Sequence, residues 1–134
     1  MTVQQQIEAF LGGAPHAVAG ASQDRRKYGN KVLRAYLQRN RAVHPINPNA
    51  EMVEGLVAFS DLAAVSETVH GVSIVTPPRV TEQIVMQAAE LGIRHLWMQP
   101  GSDSDRAIEI AEQAGMNVIW GGPCILVALR FQED

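Results

Sequence analysis

The 134-residue chain is long enough for one domain with a hydrophobic core, and 46% of its residues are hydrophobic. Its eleven Lys and Arg residues are outnumbered by fourteen Asp and Glu residues, which gives a formal net charge of −3. This balance argues against general nucleic-acid binding, which needs a basic face to neutralise the phosphate backbone. Cys124 is the single cysteine, so the sequence excludes a disulfide framework and a cysteine-rich metal site.

The first eleven residues form an amphipathic pattern that contains Gln and Glu, which differs from the apolar core of a signal peptide. No apolar run in the sequence approaches the roughly 20 residues that a membrane helix needs. We therefore expect a cytoplasmic protein that does not enter a membrane.

The first half of the chain alternates helical and strand patterns. Apolar residues at helical spacing after Thr2, a residue type that caps helices, predict a short helix that ends at Gly12-Gly13. The next predicted elements are a strand at 16–20, a helix at 28–39, a strand at 42–46 that ends in Asn47-Pro48-Asn49, an edge strand at Leu56-Val57-Ala58, and a helical turn that begins at Ser60-Asp61-Leu62.

The second half of the chain continues this alternation. It predicts strands at 72–75, 95–98 and 118–120, with a helix after each of the first two. The first of these strands stops at Thr76-Pro77-Pro78, because two prolines cannot continue a central strand but can begin a helix. The second strand ends in Gln99-Pro100-Gly101, and the apolar tail at 125–129 fits either a last strand or a short helix.

The order of these elements predicts the fold class. Strands that alternate with helices of about 10 to 12 residues favour a mostly parallel sheet with helices on both faces, which is a three-layer α/β sandwich. No linker, internal repeat or low-complexity segment divides the sequence. We therefore expect a single domain over residues 1–134.

The stretch from His16 to Tyr28 predicts an anion-binding site. A short apolar strand stops at Gly20-Ala21-Ser22, a polar and basic loop follows at 23–27, and a helical pattern then begins. In a parallel sheet this arrangement points backbone N–H groups and a helix N-terminus at whatever lies beyond the strand. A phosphate group is the natural ligand of such a position.

The ends of the predicted strands indicate the chemistry that they support. They are rich in proline and glycine, and no Asp, Glu or His follows any of them directly. Because ligands of open α/β sheets bind at these strand ends, the lining suits a nucleotide held by backbone groups and apolar walls. It is poor for acid–base catalysis. The sequence also shows no set of Asp, His or Cys at metal-ligand spacing.

Two common nucleotide fingerprints are missing from the sequence. The G-x-G-x-x-G motif of NAD sites is absent, since the next glycine after Gly20 is Gly29. The second strand ends in Asn47 rather than in the Asp or Glu that binds the ribose of NAD. A phosphate-binding G-x-x-x-x-G-K-S/T loop is also absent. The alternative is a regulatory domain that binds NAD(P) or another adenine nucleotide at the same position.

An ordered set of motifs resembles the CoA-binding domain family. This family is a compact Rossmann-like module that also forms the N-terminal part of the succinyl-CoA synthetase alpha subunit. The matching motifs are Val18-Ala19-Gly20-Ala21-Ser22, Lys27-Tyr28-Gly29, Val43-His44-Pro45-Ile46-Asn47-Pro48, Thr76-Pro77-Pro78, Leu96-Trp97-Met98-Gln99-Pro100-Gly101, Ala114-Gly115-Met116 and Cys124-Ile125. No single motif is specific, but their order along nearly the whole chain is. The resemblance implies a three-layer Rossmann-like sandwich with a mostly parallel sheet.

The resemblance also implies that CoA lies across the strand ends. The turn after the first strand would meet the pyrophosphate, the end of the second would flank the adenosine part, and the end of the fourth would lie near the pantetheine arm. The 3′-phosphate of CoA needs a cation, for which Arg25, Arg26, Lys27 and Arg79 are candidates. The implied cofactor-binding residues are Gly20, Ala21, Ser22, Arg26, Lys27, Tyr28, Asn47, Pro48, Thr76, Pro77, Pro78, Arg79, Gln99, Pro100 and Gly101.

Departures from the family pattern bear on the expected activity. Ala128 stands where many members carry Glu, and His70-Gly71 stands where an acidic residue often precedes the Thr-Pro-Pro strand. The phosphorylated histidine of the synthetase lies in a later domain, so ligase activity does not carry over. We expect a small CoA- or acyl-CoA-binding protein that is a carrier, sensor or accessory module and not an enzyme. A second copy of the chain or an unidentified enzyme would be its further partner.

Cys124 allows two interpretations. It is either a small apolar residue in the core, or a thiol close to the thiol of CoA that forms a mixed disulfide with it. The second interpretation leaves open an enzyme that transfers CoA or exchanges thiols. The four histidines, His16, His44, His70 and His95, are expected to be structural or solvated.

Overall fold

The computed structural model describes residues 1–133. In chain order the elements are α1 (Val3–Leu11), β1 (His16–Ala19), α2 (Tyr28–Gln38), β2 (Val43–Ile46), β3 (Met52–Val53), β4 (Leu56–Val57), a short 3₁₀ helix (Leu62–Ala64), β5 (Gly71–Ile74), α3 (Pro78–Glu90), β6 (His95–Met98), α4 (Asp105–Gln113), β7 (Asn117–Ile119) and α5 (Ile125–Ala128). Within residues 1–133, none of the helices is long and apolar enough to cross a membrane.

The main sheet has five parallel strands in the order β2-β1-β5-β6-β7. The chain leaves β1 toward one side to form β2, and it later returns to the other side of β1 to form β5. The strand order therefore reverses between β1 and β5, and a crevice opens there at the carboxyl ends of the strands. This topology confirms the predicted α/β fold with a mostly parallel sheet.

Both faces of the sheet are covered by helices. On one face α1, α2 and α5 enclose a core that includes Phe10, Leu33 and Trp97. On the other face α3 and α4 enclose a core that includes Leu96 and Met98. The central strands are therefore buried on both sides, which explains their mostly apolar sequences.

Two predicted elements need correction or completion. The expected edge strand at 56–58 does not join the main sheet, because Leu56–Val57 pairs antiparallel with β3 in a separate hairpin. The hairpin turns at Glu54 and Gly55, which both have positive φ angles as a tight two-residue turn requires. The tail, for which strand and helix both fitted the sequence, forms the short helix α5.

Side chains and loops occupy the outer edges of the main sheet. At the β2 edge, the Phe59 N–H donates to the Pro45 carbonyl (3.0 Å), and the Asn47 N–H donates to the Phe59 carbonyl (2.9 Å). At the β7 edge, the Gln6 side-chain amide donates to the Val118 carbonyl (3.0 Å). The segment after the hairpin thus covers one edge, and α1 covers the other.

Three of the four histidines cluster at the amino ends of the central strands. The ring of His70 stacks on His95, with centroids 4.4 Å apart, and meets His16 edge-on at 5.6 Å. His16 is fully buried and donates through Nε2 to the Phe10 carbonyl (2.8 Å), while its Nδ1 has no partner among the described residues. The cluster therefore lies at the amino ends of the strands, whereas the crevice lies at their carboxyl ends.

Candidate functional site

A cavity of about 690 Å³ lies at the carboxyl ends of β1, β2 and β5. Its volume is in the range of small-molecule and cofactor sites, and its position is the crevice where the strand order reverses. The predicted site residues in its wall are Gly20, Ala21, Ser22, Lys27, Tyr28, Asn47, Pro48, Thr76 and Pro77. The predicted residues that do not line it are Arg26, Pro78, Arg79, Gln99, Pro100 and Gly101. Contact of either group with a ligand stays a prediction.

Two glycines shape the turn between β1 and α2. Gly20 has a φ of +94°, and a Cβ atom at this position would lie 2.0 Å from the Val75 carbonyl oxygen. A Cβ atom at Gly29 would lie 1.9 Å from the Gly20 carbonyl oxygen. The turn therefore packs directly against the end of β5 and the start of α2, and side chains larger than hydrogen do not fit.

The beginning of α2 faces the cavity with unsatisfied donors. Lys27 is the N-cap residue and makes no capping hydrogen bond through its side chain. The backbone N–H groups of Tyr28, Gly29 and Asn30 have no acceptor within residues 1–133. Free N–H groups and the positive end of the helix dipole together favour an anion at this position.

Lys27 is the basic side chain of the cavity wall. It is exposed and forms no ion pair with another described residue. Arg26 instead points at Asp24, to which it donates two hydrogen bonds of 3.1 Å, and these bonds lower the pKa of Asp24 to about 2. Arg25 pairs with Glu54 at 3.3 Å, and Arg79 is exposed outside the cavity wall. Among the predicted cations, the geometry therefore favours Lys27 as the phosphate ligand.

Asn47 connects the end of β2 to the turn after β1. Its side-chain amide donates to the Ala21 carbonyl (2.8 Å), and its Oδ1 atom accepts from the Asn49 N–H (2.7 Å). These bonds hold the two strand ends at a fixed spacing across the cavity. They leave one amide hydrogen of Asn47 available to a ligand.

The sequence did not reveal the apolar wall of the cavity. This wall is formed by Ile46, Leu62, Val75, Val80 and Ile84. Leu62 is held in place because its N–H donates to the side-chain oxygen of Gln87 on α3 (3.1 Å). Val80 and Ile84 lie four residues apart on α3 and therefore share a face of this helix, but nothing in the sequence indicated that this face flanks the crevice.

Gln99 lies behind the cavity wall rather than in it. Its side chain is fully buried, and its Oε1 atom accepts from the Ile125 N–H (3.0 Å) and from the Tyr28 hydroxyl (3.4 Å). The Tyr28 hydroxyl also hydrogen-bonds the Cys124 thiol. Burial, followed by the bond to Cys124, raises the pKa of Tyr28, so this hydroxyl keeps its proton. The Gln99 Nε2 atom has no partner within the described part of the chain.

The acidic group in the wall of the cavity is already engaged within the protein. The acidic side chain of the wall, Asp61, accepts a hydrogen bond from the Ala64 N–H and caps the 3₁₀ helix. The residues described by the structure include no group of three or more His, Cys, Asp or Glu placed to hold a metal ion. The cavity offers an anion site at one end and an apolar wall along its length, which together fit a phosphorylated ligand with an apolar part.

Comparison with known proteins gives two kinds of relative. The chain is 28% identical over 130 residues to the ADP-forming acetate–CoA ligase II subunit alpha of Pyrococcus furiosus. That match covers 89% of this chain but 28% of the ligase subunit, so the chain spans less than a third of this relative. A dinucleotide-forming acetyl-coenzyme A synthetase 1 of Ca. Korarchaeum cryptofilum, solved with phosphate and ADP, is 25% identical with a TM-score of 0.75. That match covers 87% of this chain and 27% of the synthetase.

Relatives of similar length also exist. A conserved hypothetical protein from Pyrococcus furiosus is 34% identical with a TM-score of 0.82, and the match covers 87% of this chain and 99% of that one. Residues 15–130 match the family described as the CoA binding domain, which includes every element from β1 to α5. The chain therefore belongs to the CoA-binding domain family.

Proposed function

We propose that the protein binds CoA or an acyl-CoA in the cavity at the ends of β1, β2 and β5. The observation that carries this proposal is the uncapped start of α2, with Lys27 beside it, at one end of an apolar cavity. Such a site binds a phosphate group without supplying an acid or a base. The protein would then act as a carrier, a sensor or an accessory module of an enzyme.

The geometry suggests an orientation for the ligand. The pyrophosphate lies at the turn formed by Gly20, Ala21 and Ser22, beside the free N–H groups at the start of α2. The adenosine part lies between Asn47-Pro48 and the apolar wall. The pantetheine arm then runs past Tyr28 toward the end of β6, which is the position that the resemblance implied for it.

Titration calorimetry with CoA, dephospho-CoA and NAD tests the proposal. Dephospho-CoA lacks only the 3′-phosphate, so tighter binding of CoA than of the other two ligands supports a CoA site with a cation for that phosphate. Binding of NAD or ADP without binding of CoA would instead support the adenine-nucleotide alternative. Absence of CoA binding at millimolar concentration would refute the proposal.

A pair of lysine variants tests the role of Lys27. We expect Lys27→Ala to weaken CoA binding by about tenfold, because a charge-assisted contact with phosphate is lost. Lys31→Ala is the matched control, since Lys31 lies on the same helix, outside the cavity wall, and pairs with Glu133 at 3.7 Å. Equal affinities of the two variants would exclude Lys27 as the phosphate ligand.

The contact between Tyr28 and Cys124 supports a second candidate function, thiol exchange. Tyr28 lines the cavity and its hydroxyl bonds the thiol, so Cys124 lies beside the path suggested for the pantetheine arm. In this reaction the Cys124 thiolate attacks the disulfide of oxidised CoA, forms a mixed disulfide and releases one CoA thiol. Intact mass spectrometry after incubation with oxidised CoA would show the added mass of one CoA, and an unchanged mass would remove this candidate.

A further inference from the structure

A second cavity, of about 790 Å³, lies between α1 and α5. Its apolar wall includes Ile7 and Leu11 from α1 and Val127 and Ala128 from α5. Val127 is 76% exposed, so its apolar side chain is open to a ligand in this concave surface. The cavity is large enough for a small ligand, and the role proposed for the first cavity does not use it.

The walls of the two cavities touch at the Tyr28–Cys124 contact. Tyr28 lines the first cavity, Cys124 lines the second, and a hydrogen bond joins the Tyr28 hydroxyl to the Cys124 thiol. Gln99 also contacts this hydroxyl and carries a fully buried amide group whose Nε2 atom has no acceptor within residues 1–133. Gln99 lines neither cavity, so it supports the Tyr28 hydroxyl from behind this contact.

We propose that the second cavity binds the acyl group of an acyl-CoA whose CoA part occupies the first cavity. This inference rests on the proposed function and names the ligand class of the same site. The pantetheine arm passes the Tyr28–Cys124 contact at the boundary between the two cavities. The acyl chain then lies against the apolar residues of α1 and α5.

The charges of the second cavity restrict the acyl group. Glu8 is the charged residue of its wall, and no Lys or Arg lines it among residues 1–133. A terminal carboxylate on the acyl group would therefore meet a like charge and an apolar surface. The lining favours acyl groups that end in a methyl group over those that end in a carboxylate.

Calorimetric titration with CoA, butyryl-CoA, hexanoyl-CoA and octanoyl-CoA tests the inference. Burial of each methylene group raises affinity by at most about fourfold, so we expect affinity to rise along this series. We also expect butyryl-CoA to bind more tightly than succinyl-CoA, which has the same number of acyl carbons but ends in a carboxylate. Equal affinities of all these ligands would overturn the inference and leave the proposed function intact. Absence of CoA binding would refute the proposed function itself.

Variants of the second cavity separate its contribution from that of the first. We expect Ala128→Trp, which fills the space between α5 and α1, to abolish the dependence on chain length while CoA affinity stays unchanged. Ala114→Trp is the matched control, because Ala114 is exposed at the end of α4 on the other face of the sheet. A retained chain-length dependence in Ala128→Trp would contradict the inference.

A surface variant covers the case in which Ala128→Trp does not fold. Glu8 is exposed, so Glu8→Gln removes the charge without changing the core. We expect this variant to bind succinyl-CoA more tightly than the wild type does, while butyryl-CoA affinity stays the same. An unchanged ratio of the two affinities would place the acyl group elsewhere.

Discussion

His16 is a buried titratable side chain far from the proposed ligand site. Its ring lies among Phe10, Tyr36 and His70, and Arg41 adds a positive charge to its surroundings. Burial lowers the pKa of His16 from 6.5 to about 4, although the bond to the Phe10 carbonyl opposes this change. The folded protein therefore keeps this histidine neutral at pH values where the unfolded chain protonates it.

The depressed pKa predicts a dependence of stability on pH. The unfolded state binds a proton below about pH 6.5, whereas the folded state binds it only near pH 4. The contribution of His16 to the free energy of unfolding is therefore fully present above about pH 6.5 and decreases as the pH falls toward 4. The loss for His16 is at most about 3 kcal/mol, and burial also lowers the pKa of His95, which acts in the same direction. Urea unfolding at a series of pH values between 7 and 4 measures this decrease.

A histidine variant tests the assignment of this effect to His16. We expect His16→Gln, which keeps a donor for the Phe10 carbonyl, to show a smaller loss of stability between pH 7 and 4 than the wild type. His44→Gln is the control, because His44 lies at the surface beside Glu67. If His16→Gln keeps the full pH dependence of the wild type, another group is responsible.

The helix α2 begins in a way that favours a ligand over stability. Most helices satisfy their first N–H groups with a Ser, Thr, Asp or Asn side chain at the N-cap, but here the N-cap residue is Lys27. The backbone of Lys27 has the extended conformation (φ −81°, ψ 149°) that a capping residue adopts. A better cap is therefore compatible with the backbone and is nevertheless absent.

Lys27→Ser is expected to stabilise the free protein and weaken ligand binding at the same time. A serine hydroxyl at this position can accept from the Asn30 N–H, and a good N-cap contributes about 1 kcal/mol relative to alanine. The comparison is with Lys27→Ala, because both variants lose the positive charge and only one gains a cap. Denaturant unfolding measures stability, and calorimetry measures CoA affinity. Equal stability of the two variants would show that the N–H groups at the start of α2 are already satisfied.

Elements differ in how far their sequences predict them. The turn at Gly20 between β1 and α2 was predictable from the sequence. A short apolar strand pattern, a run of small residues and a helical pattern follow one another there, and each of them indicates one type of structure. The hairpin formed by β3 and β4 was only half predicted, since strands of two residues are too short for an alternating pattern. Its turn also contains Glu54, a non-glycine residue with a positive φ of 49°, which carries no clear turn signal.

The candidate site shows the same limit. The sequence indicated the polar end of the cavity, because those residues directly follow strands and parallel strands share one carboxyl edge. It did not indicate that Leu62 and Ile84 complete the wall, since tertiary packing brings them there from other elements. It also did not indicate that Gln99 turns inward, because the acceptor role toward the Ile125 N–H depends on where α5 lies.

At the scale of the whole molecule, one sheet separates two cores that share its strands. Leu96 and Met98 of β6 pack into one core, and Trp97 between them packs into the other. The Trp97 indole also donates to the Pro123 carbonyl (2.9 Å), which ties the loop after β7 to the centre of the sheet. Loss of either helical layer would expose strands on which the other layer depends.

This shared sheet predicts a single cooperative unfolding transition, as expected for one domain over residues 1–134. In a Trp120→Phe variant, which removes the exposed second tryptophan, fluorescence of the buried Trp97 reports on one core, and far-ultraviolet circular dichroism reports on helices of both layers. We expect the two signals to give the same midpoint, and calorimetric and van't Hoff enthalpies to agree. Separate midpoints would show that one layer unfolds without the other and would contradict the single-domain prediction.

The coverage of both sheet edges bears on how copies of this protein meet at high concentration. At the β2 edge Pro45 has no N–H group, and Phe59 forms hydrogen bonds with the Pro45 carbonyl and the Asn47 N–H. At the β7 edge the Gln6 side chain donates a hydrogen bond to the Val118 carbonyl. Neither edge is left as a free template for a strand from a second molecule. Strand addition at either edge of the main sheet therefore requires that the segment at Phe59 or the helix α1 first detach.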